Sequence, residues 1–280
     1  MKFIGPHVHT TGGVQNAPPN ARALDASGFG LFVKNQRQWT APPYTAATIA
    51  SFKENLATSG FTAKQVLAHA GYLINLGNSD ATAYKKSFEA FTDELERCGQ
   101  LGLSLLNIHP GSHLRQCSEE ACLLRIAGAI NGALDATEGV AVVLENTAGQ
   151  GSNVGYRFEQ IAFIISHVSD KSRIGFCLDT CHAFAAGYDL RTPAAYEATM
   201  RELENTIGLR YLRGAHLNDA KSELGSRVDR HQNIGKGAIG LDAFRLLMRD
   251  ERFEEIPLVL ETIDEELWPK EIALLRQLAG

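Results

Sequence analysis

The chain has 280 residues, of which 44% are apolar and 21% charged, values that belong to globular proteins and exclude a disordered chain. Its 27 basic and 32 acidic residues leave a net charge of −5, without the basic excess usual in proteins that grip a phosphate backbone. No apolar run nears the roughly 20 residues of a membrane span, the first residues lack a secretory pattern, and five irregularly spaced cysteines fit reduced thiols, so a cytoplasmic protein with no membrane partner is expected.

Taken in chain order, short runs rich in Val, Ile, Leu and Phe recur at Lys2–Val8, Gly30–Val33, Val66–Ala68, Leu103–Ile108, Val140–Leu144, Ile174–Leu178, Tyr211–Leu217 and Pro257–Leu260. Such runs suit parallel strands buried on both faces. Between them lie stretches with helical spacing. Phe88, Phe91, Leu95 and Cys98 share a face, as do Leu123, Ile126, Ile130 and Leu134, and again Phe158, Ile161, Ile165 and Val168. Thr192-Pro193 reads as an N-cap followed by a proline at the first helical position. The first helix, within Val14–Ser27, is interrupted in this reading by Pro18-Pro19. No linker or composition shift marks a boundary, and no Gly-x-Gly-x-x-Gly turn follows the first run. Eight strands alternating with helices predict an α/β fold, a (β/α)₈ barrel formed by residues 1–280 as one domain.

The chemistry collects where the runs end. His69, His109, Glu145, Asp179, His216 and Glu261 stand at the ends of six consecutive runs, which in a barrel is the face that carries active sites. Packed together, the carboxylates would repel one another, and bound cations relieve that repulsion. Imidazole and carboxylate donors suit zinc, and manganese where carboxylates dominate. A second group follows. His182 comes three residues after Asp179, and Asp229-Arg230-His231 puts a carboxylate and an imidazole on one side of an extended loop, so His182, Asp229 and His231 are read as a further metal site. Cys177 and Cys181 flank Asp179 and are read as apolar side chains rather than ligands. His7, His9 and His113 are expected to support the site or touch substrate, and His167 to end a helix. Clustered cations of this kind suit attack of a metal-bridging hydroxide on phosphorus.

Long strings run through the chain: Lys34-Asn35-Gln36-Arg37-Gln38-Trp39, His69 with Tyr72-Leu73-Ile74-Asn75-Leu76, Asn107-Ile108-His109-Pro110-Gly111-Ser112-His113, Glu145-Asn146-Thr147-Ala148-Gly149, Asp179-Thr180-Cys181-His182, His216-Leu217-Asn218-Asp219, Asp229-Arg230-His231 and Leu260-Glu261-Thr262. In these the chain resembles the endonuclease IV family of apurinic/apyrimidinic endonucleases. The resemblance implies a TIM barrel with three zinc ions. One would be held by His69, His109 and Glu145, the second by Glu145, Asp179, His216 and Glu261, and the third, which could instead take manganese, by His182, Asp229 and His231. It implies cleavage of duplex DNA 5′ to an abasic site, giving a 3′-hydroxyl and a 5′-deoxyribose phosphate, with trimming of blocked 3′ ends. Glu145, Glu261 and His109 would then serve catalysis, while Arg37, Tyr72, Leu73 and Arg230 would meet the DNA. Without the resemblance, Tyr72 and Leu73 read as core residues.

Three Zn²⁺ would bring the formal charge from −5 to about +1, and Lys34, Arg37, Arg115, Lys221, Arg227, Arg230 and Lys236 are expected to gather in the loops around the mouth. The chain departs from the family pattern at His9, at Ala70-Gly71, at Pro18-Pro19 and at Lys236. Two other readings compete. A sugar isomerase or epimerase could use Glu145, Asp179, His216 and Glu261 around a divalent ion, but would leave His69, His109 and the third group idle. A non-catalytic module for damaged DNA would call for closed, Cys-rich zinc sites. A monomer is expected.

Overall fold

The computed structural model describes all residues 1–280. Its eight parallel strands are β1 (Phe3–Pro6), β2 (Phe29–Phe32), β3 (Val66–His69), β4 (Leu105–Ile108), β5 (Ala141–Glu145), β6 (Ile174–Asp179), β7 (Leu212–Leu217) and β8 (Pro257–Leu260). They pair in sequence from β2 through β8 and on to β1. The seam between β1 and β2 closes through one parallel bridge, His7 to Gly30, with Val8 N donating to Gly30 O at 2.9 Å. The α/β barrel is therefore nearly closed.

Nine helices surround it: α1 (Ala17–Ala23), α2 (Ala46–Thr58), α3 (Ala81–Leu101), α4 (Glu119–Ala136), α5 (Phe158–His167), α6 (Thr180–Ala186), α7 (Pro193–Thr206), α8 (Leu241–Arg249) and α9 (Trp268–Ala279). Their starts are specified by local chemistry. The side chains of Thr45, Asp80, Ser118 and Thr192 each accept a hydrogen bond from the backbone N–H three residues on, satisfying donors that a helix leaves free. Helix α3 stops at Gly102, whose φ of 76° is the left-handed conformation glycine adopts without penalty. The prolines in the first helix act differently from the sequence reading. Pro18 and Pro19 lie in the first turn of α1, where a missing N–H costs nothing, so they start the helix instead of interrupting it.

Inside the barrel, Leu67, Val143, Cys177 and Val259 form a separate buried cluster with Leu105 against it. Gly214 of β7 faces the same space, since a Cβ there would come 2.9 Å from Leu67 Cδ2. Side chains alternate along a strand with period two, so the next inward position lies two residues on. From this plug, that step gives His69, Asn107, Glu145, Asp179, His216 and Glu261. Strand register aligns them: Glu145 pairs with Cys177, Asp179 with His216, and His69 with Asn107. The apolar layer is thus the floor on which a ring of polar side chains stands.

Candidate metal centre

Glu145 is at the centre of the ring. Its Oε2 lies 3.3 Å from both His69 Nε2 and His109 Nε2. Its Oε1 lies 3.2 Å from His182 Nδ1 and 3.1 Å from His216 Nδ1. His216 Nδ1 is also 3.2 Å from Glu261 Oε2 and 4.0 Å from Asp179 Oδ2. Towards solvent, Asp229 Oδ2 meets His182 Nε2 at 3.2 Å, and its Oδ1 meets His231 Nε2 at 3.4 Å. All nine residues read from the sequence as ligands therefore converge. The groups Glu145–Asp179–His216–Glu261 and His182–Asp229–His231 each bring their donor atoms within 4.8 Å of one another.

The strand ends and α6 aim these side chains. Asp179 caps α6, its Oδ1 accepting from His182 N at 2.7 Å, so the helix begins at one side chain of the cluster and delivers another three residues later. The Nδ1 of His69 donates to Ala70 O at 2.7 Å and that of His231 to Glu261 O at 3.2 Å, which turns each Nε2 lone pair inward. Three asparagines that the sequence reading did not select support the carboxylates. Asn107 donates to Glu145 Oε2. Asn218 donates to Asp179 Oδ2 at 2.8 Å and accepts from Glu261 N at 3.0 Å. Asn146 accepts from Asp179 N at 2.8 Å. An amide at or just after the end of an apolar run was the available signal, and each sits within the strings quoted above.

The electrostatics call for cations. Burial opposes ionisation of Glu145, yet the imidazoles of His216 and His109 hold it well below the usual carboxylate range. Burial likewise opposes the charged form of His216 and His182, but Glu145 and Asp179 respectively raise them well above the ordinary 6.5. Asp229, despite partial burial, is held down at about 2 by His182 and His231. Buried Glu145 Oε1, His216 Nδ1 and His231 Nε2 make no hydrogen bond. Buried polar atoms without partners are rare and expensive; the first two belong to the group Glu145–Asp179–His216–Glu261 and the third to His182–Asp229–His231, where divalent ions would satisfy them. The donor set, carboxylate and imidazole, fits zinc.

A bowl of about 270 Å³ opens beside this cluster, lined among others by His7, Phe32, Tyr72, His231, Glu261 and Trp268. His7 packs edge-on against Phe32, its pKa pushed down to about 4 chiefly by burial, so it is neutral and supports the wall. His9 lies on the exposed rim, 2.7 Å from Glu265. His113 accepts from Arg115 N at 3.2 Å, and His167 ends α5. Cys177 belongs to the apolar floor. Cys181 is fully buried, and burial pushes its thiol well up.

Tyr72 and Leu73, expected at the DNA by the resemblance and in the core without it, are 58% and 38% exposed at the mouth, held there by the short turn after β3. One expectation is corrected: Lys34 does not join the basic rim. Its side chain is 2% exposed and packs against Asp93 and Glu94 of α3, because three backbone and side-chain acceptors take its protons. Arg37, Arg115, Lys221, Arg227, Arg230 and Lys236 are exposed.

A parallel barrel whose strand ends converge on carboxylates and imidazoles defines a class, and residues 19–278 match the model of the xylose isomerase-like TIM barrel family. The chain belongs to that family and, within it, to the endonuclease IV proteins: it shares 31% identity with endonuclease IV from Thermus thermophilus, with a TM-score of 0.85, over 99% of this chain and 98% of that one. D-psicose 3-epimerase from Clostridium cellulolyticum has a TM-score of 0.72 at 14% identity, covering 100% of this chain and 98% of that one. The 3-keto-D-glucoside 4-epimerase of E. coli has a TM-score of 0.71 at 14% identity, over 99% and 100%. With the epimerases the chain shares the fold.

Proposed function

We propose that this protein is a zinc-dependent repair endonuclease that hydrolyses the phosphodiester 5′ to an abasic site in duplex DNA and trims blocked 3′ ends. The observation that carries this reading is the sharing of Glu145: one buried carboxylate is approached by His69 and His109 on one oxygen and by His182 and His216 on the other. His69, His109 and Glu145 would hold one zinc, Glu145, Asp179, His216 and Glu261 a second, and His182, Asp229 and His231 a third that could also take manganese. When bound, these ions would activate a water and neutralise charge developing on phosphorus and the leaving oxygen.

The chain's own groups do the rest. Glu145 would take part in holding two of the ions, one through each oxygen's neighbouring imidazoles. Asn107 and Asn218 fix the carboxylates, so a phosphodiester entering the bowl meets preorganised donors. Glu261, 15% exposed at its side chain, can take a proton at Oε1 from an incoming water. His109, 37% exposed at its side chain, borders the same opening. Exposed Arg37, Tyr72 and Leu73 stand beside the bowl to fill a duplex from which an abasic nucleotide has turned out, and Arg230 lies on the opposite loop to receive a phosphate. A single-domain cytoplasmic monomer suits this task.

The test is a labelled duplex with one tetrahydrofuran residue, which cannot undergo β-elimination, incubated with zinc-loaded protein. A single cut 5′ of the analogue with an extendable 3′-hydroxyl is expected. If folded, zinc-loaded protein leaves the duplex intact, the reading fails, and ketose epimerisation at Glu145, Asp179, His216 and Glu261 becomes the assay to run.

A further inference from the structure

Behind the two loops that carry Arg37 and Tyr72-Leu73 lies a buried pair of opposite charges, Lys34 and Glu94, each with a side chain only 2% exposed. Lys34 Nζ is 3.3 Å from Glu94 Oε1. It donates to Asp93 Oδ2 at 2.9 Å and to Trp39 O and Ala90 O at 3.2 Å each, so it ties both ends of the Arg37 loop to α3. Glu94 Oε2 accepts from Gly71 N at 2.9 Å, one residue before Tyr72. The loops also meet directly, Tyr72 N donating to Gln36 O at 3.2 Å.

The peptide linking Ala70 to Gly71 is the junction. Its N–H is held by Glu94, while its C=O accepts from Nδ1 of His69. Gly71 permits this crowding, since a Cβ would come 3.2 Å from Glu94 Oε1 and 3.3 Å from Gln36 O. A buried ion pair is a poor source of net stability, because an apolar pair of similar volume usually does as well. What it supplies here is fixed direction. Exposed side chains that enter a duplex gain affinity when they are already ordered.

We infer that Lys34 and Glu94 are positioning residues that lock the two duplex-probing loops to each other and, through the Ala70–Gly71 peptide, to the metal ligand His69. The inference rests on the proposed DNA reading for its consequence, though the locking itself is a property of the free protein.

The experiment compares wild type, E94Q, which keeps an acceptor for Gly71 N, and the double variant K34M/E94L, which replaces the charges with apolar side chains. The double variant is expected to melt near wild type and to bind the same amount of zinc. Amide exchange in the 70–75 segment of the DNA-free protein should quicken by about tenfold or more. On the tetrahydrofuran duplex, KM should rise about tenfold with kcat little changed, since small misplacements of a positioning group carry costs of that order, and E94Q, which keeps the acceptor for Gly71 N but turns an amide N–H toward Lys34, should recover part of the loss. Wild-type amide exchange in a folded double variant would overturn the inference, as would wild-type KM where wild type cuts. Quickened exchange in the double variant, with no cutting by wild type, would uphold the lock and sink the DNA reading instead.

Discussion

Glu145 meets more metal-type donors than any other side chain in the barrel, and its charge is the part that matters. Replacing it by Gln keeps the shape and the hydrogen bond from Asn107 while removing the negative charge that would be shared by two of the proposed ions. Glu145→Gln is expected to stay folded, to lose zinc from the shared pair and to lower cleavage by about a thousandfold or more, since the residues of such a unit act together. Elemental analysis beside single-turnover cleavage checks this; an active variant with full zinc would refute the bridging role. The asparagines that hold the carboxylates belong to the same scale. Their hydrogen bonds to the strand ends and carboxylates hold those groups in place.

Among the elements, the turns after β2 and β3 are the ones that the proposed DNA reading depends on. They are short, they cross-link, and they hold Tyr72 and Leu73 in water, which apolar side chains accept only when something fixes them there or covers them. Arg37 stands with them, its N–H donating to Asn35 Oδ1 at 2.9 Å, which tightens the turn that presents its side chain. Arg37→Ala should weaken binding to an abasic duplex by about tenfold, within the range of an exposed charge meeting DNA, and leave zinc content unchanged. Fluorescence anisotropy at two salt concentrations reads the first and elemental analysis the second. Loss of zinc would mean that the loop supports the metals and does not face DNA. Helix α6 works in the other direction: its cap Asp179 and its first-turn His182 both belong to the cluster, so its start cannot shift without moving both side chains.

At the scale of the whole molecule, removing the metals turns the barrel mouth into a strained array of charges. Protons then stand in for cations. Because burial is outweighed by Glu145 and Asp179, His216 and His182 have pKa values raised well above 6.5 in the folded protein. A group raised on folding stabilises fully below its unfolded pKa and loses that contribution as pH climbs through the folded value. The carboxylates run the opposite way: Asp229, held at about 2, and Glu145, held below 4.5, lose their contribution only as pH falls through those depressed values. Chelated protein should therefore melt at progressively lower temperature from about pH 6.5 upward, while zinc-loaded protein should change much less there, because the ions replace the protons. Calorimetry of both forms across that range decides it, and parallel curves would count against a shared site.

The barrel, and the side chains that converge at its mouth, were legible in the amino-acid order. Strand runs at regular spacing, six of them closing on a His or a carboxylate, can be read one-dimensionally because the inward direction of a strand repeats every second residue, and so Leu67 announces His69 as Val143 announces Glu145. Folding in three dimensions settled which oxygen of Glu145 meets which imidazole, why Lys34 leaves the rim for the interior, why Tyr72 and Leu73 stay outside, and that the prolines of α1 open the helix. Most of those outcomes depend on contacts between segments far apart in the chain, Lys34 with Glu94 and Asn218 with Asp179 among them, and no local pattern encodes a distance between residues that only folding brings together.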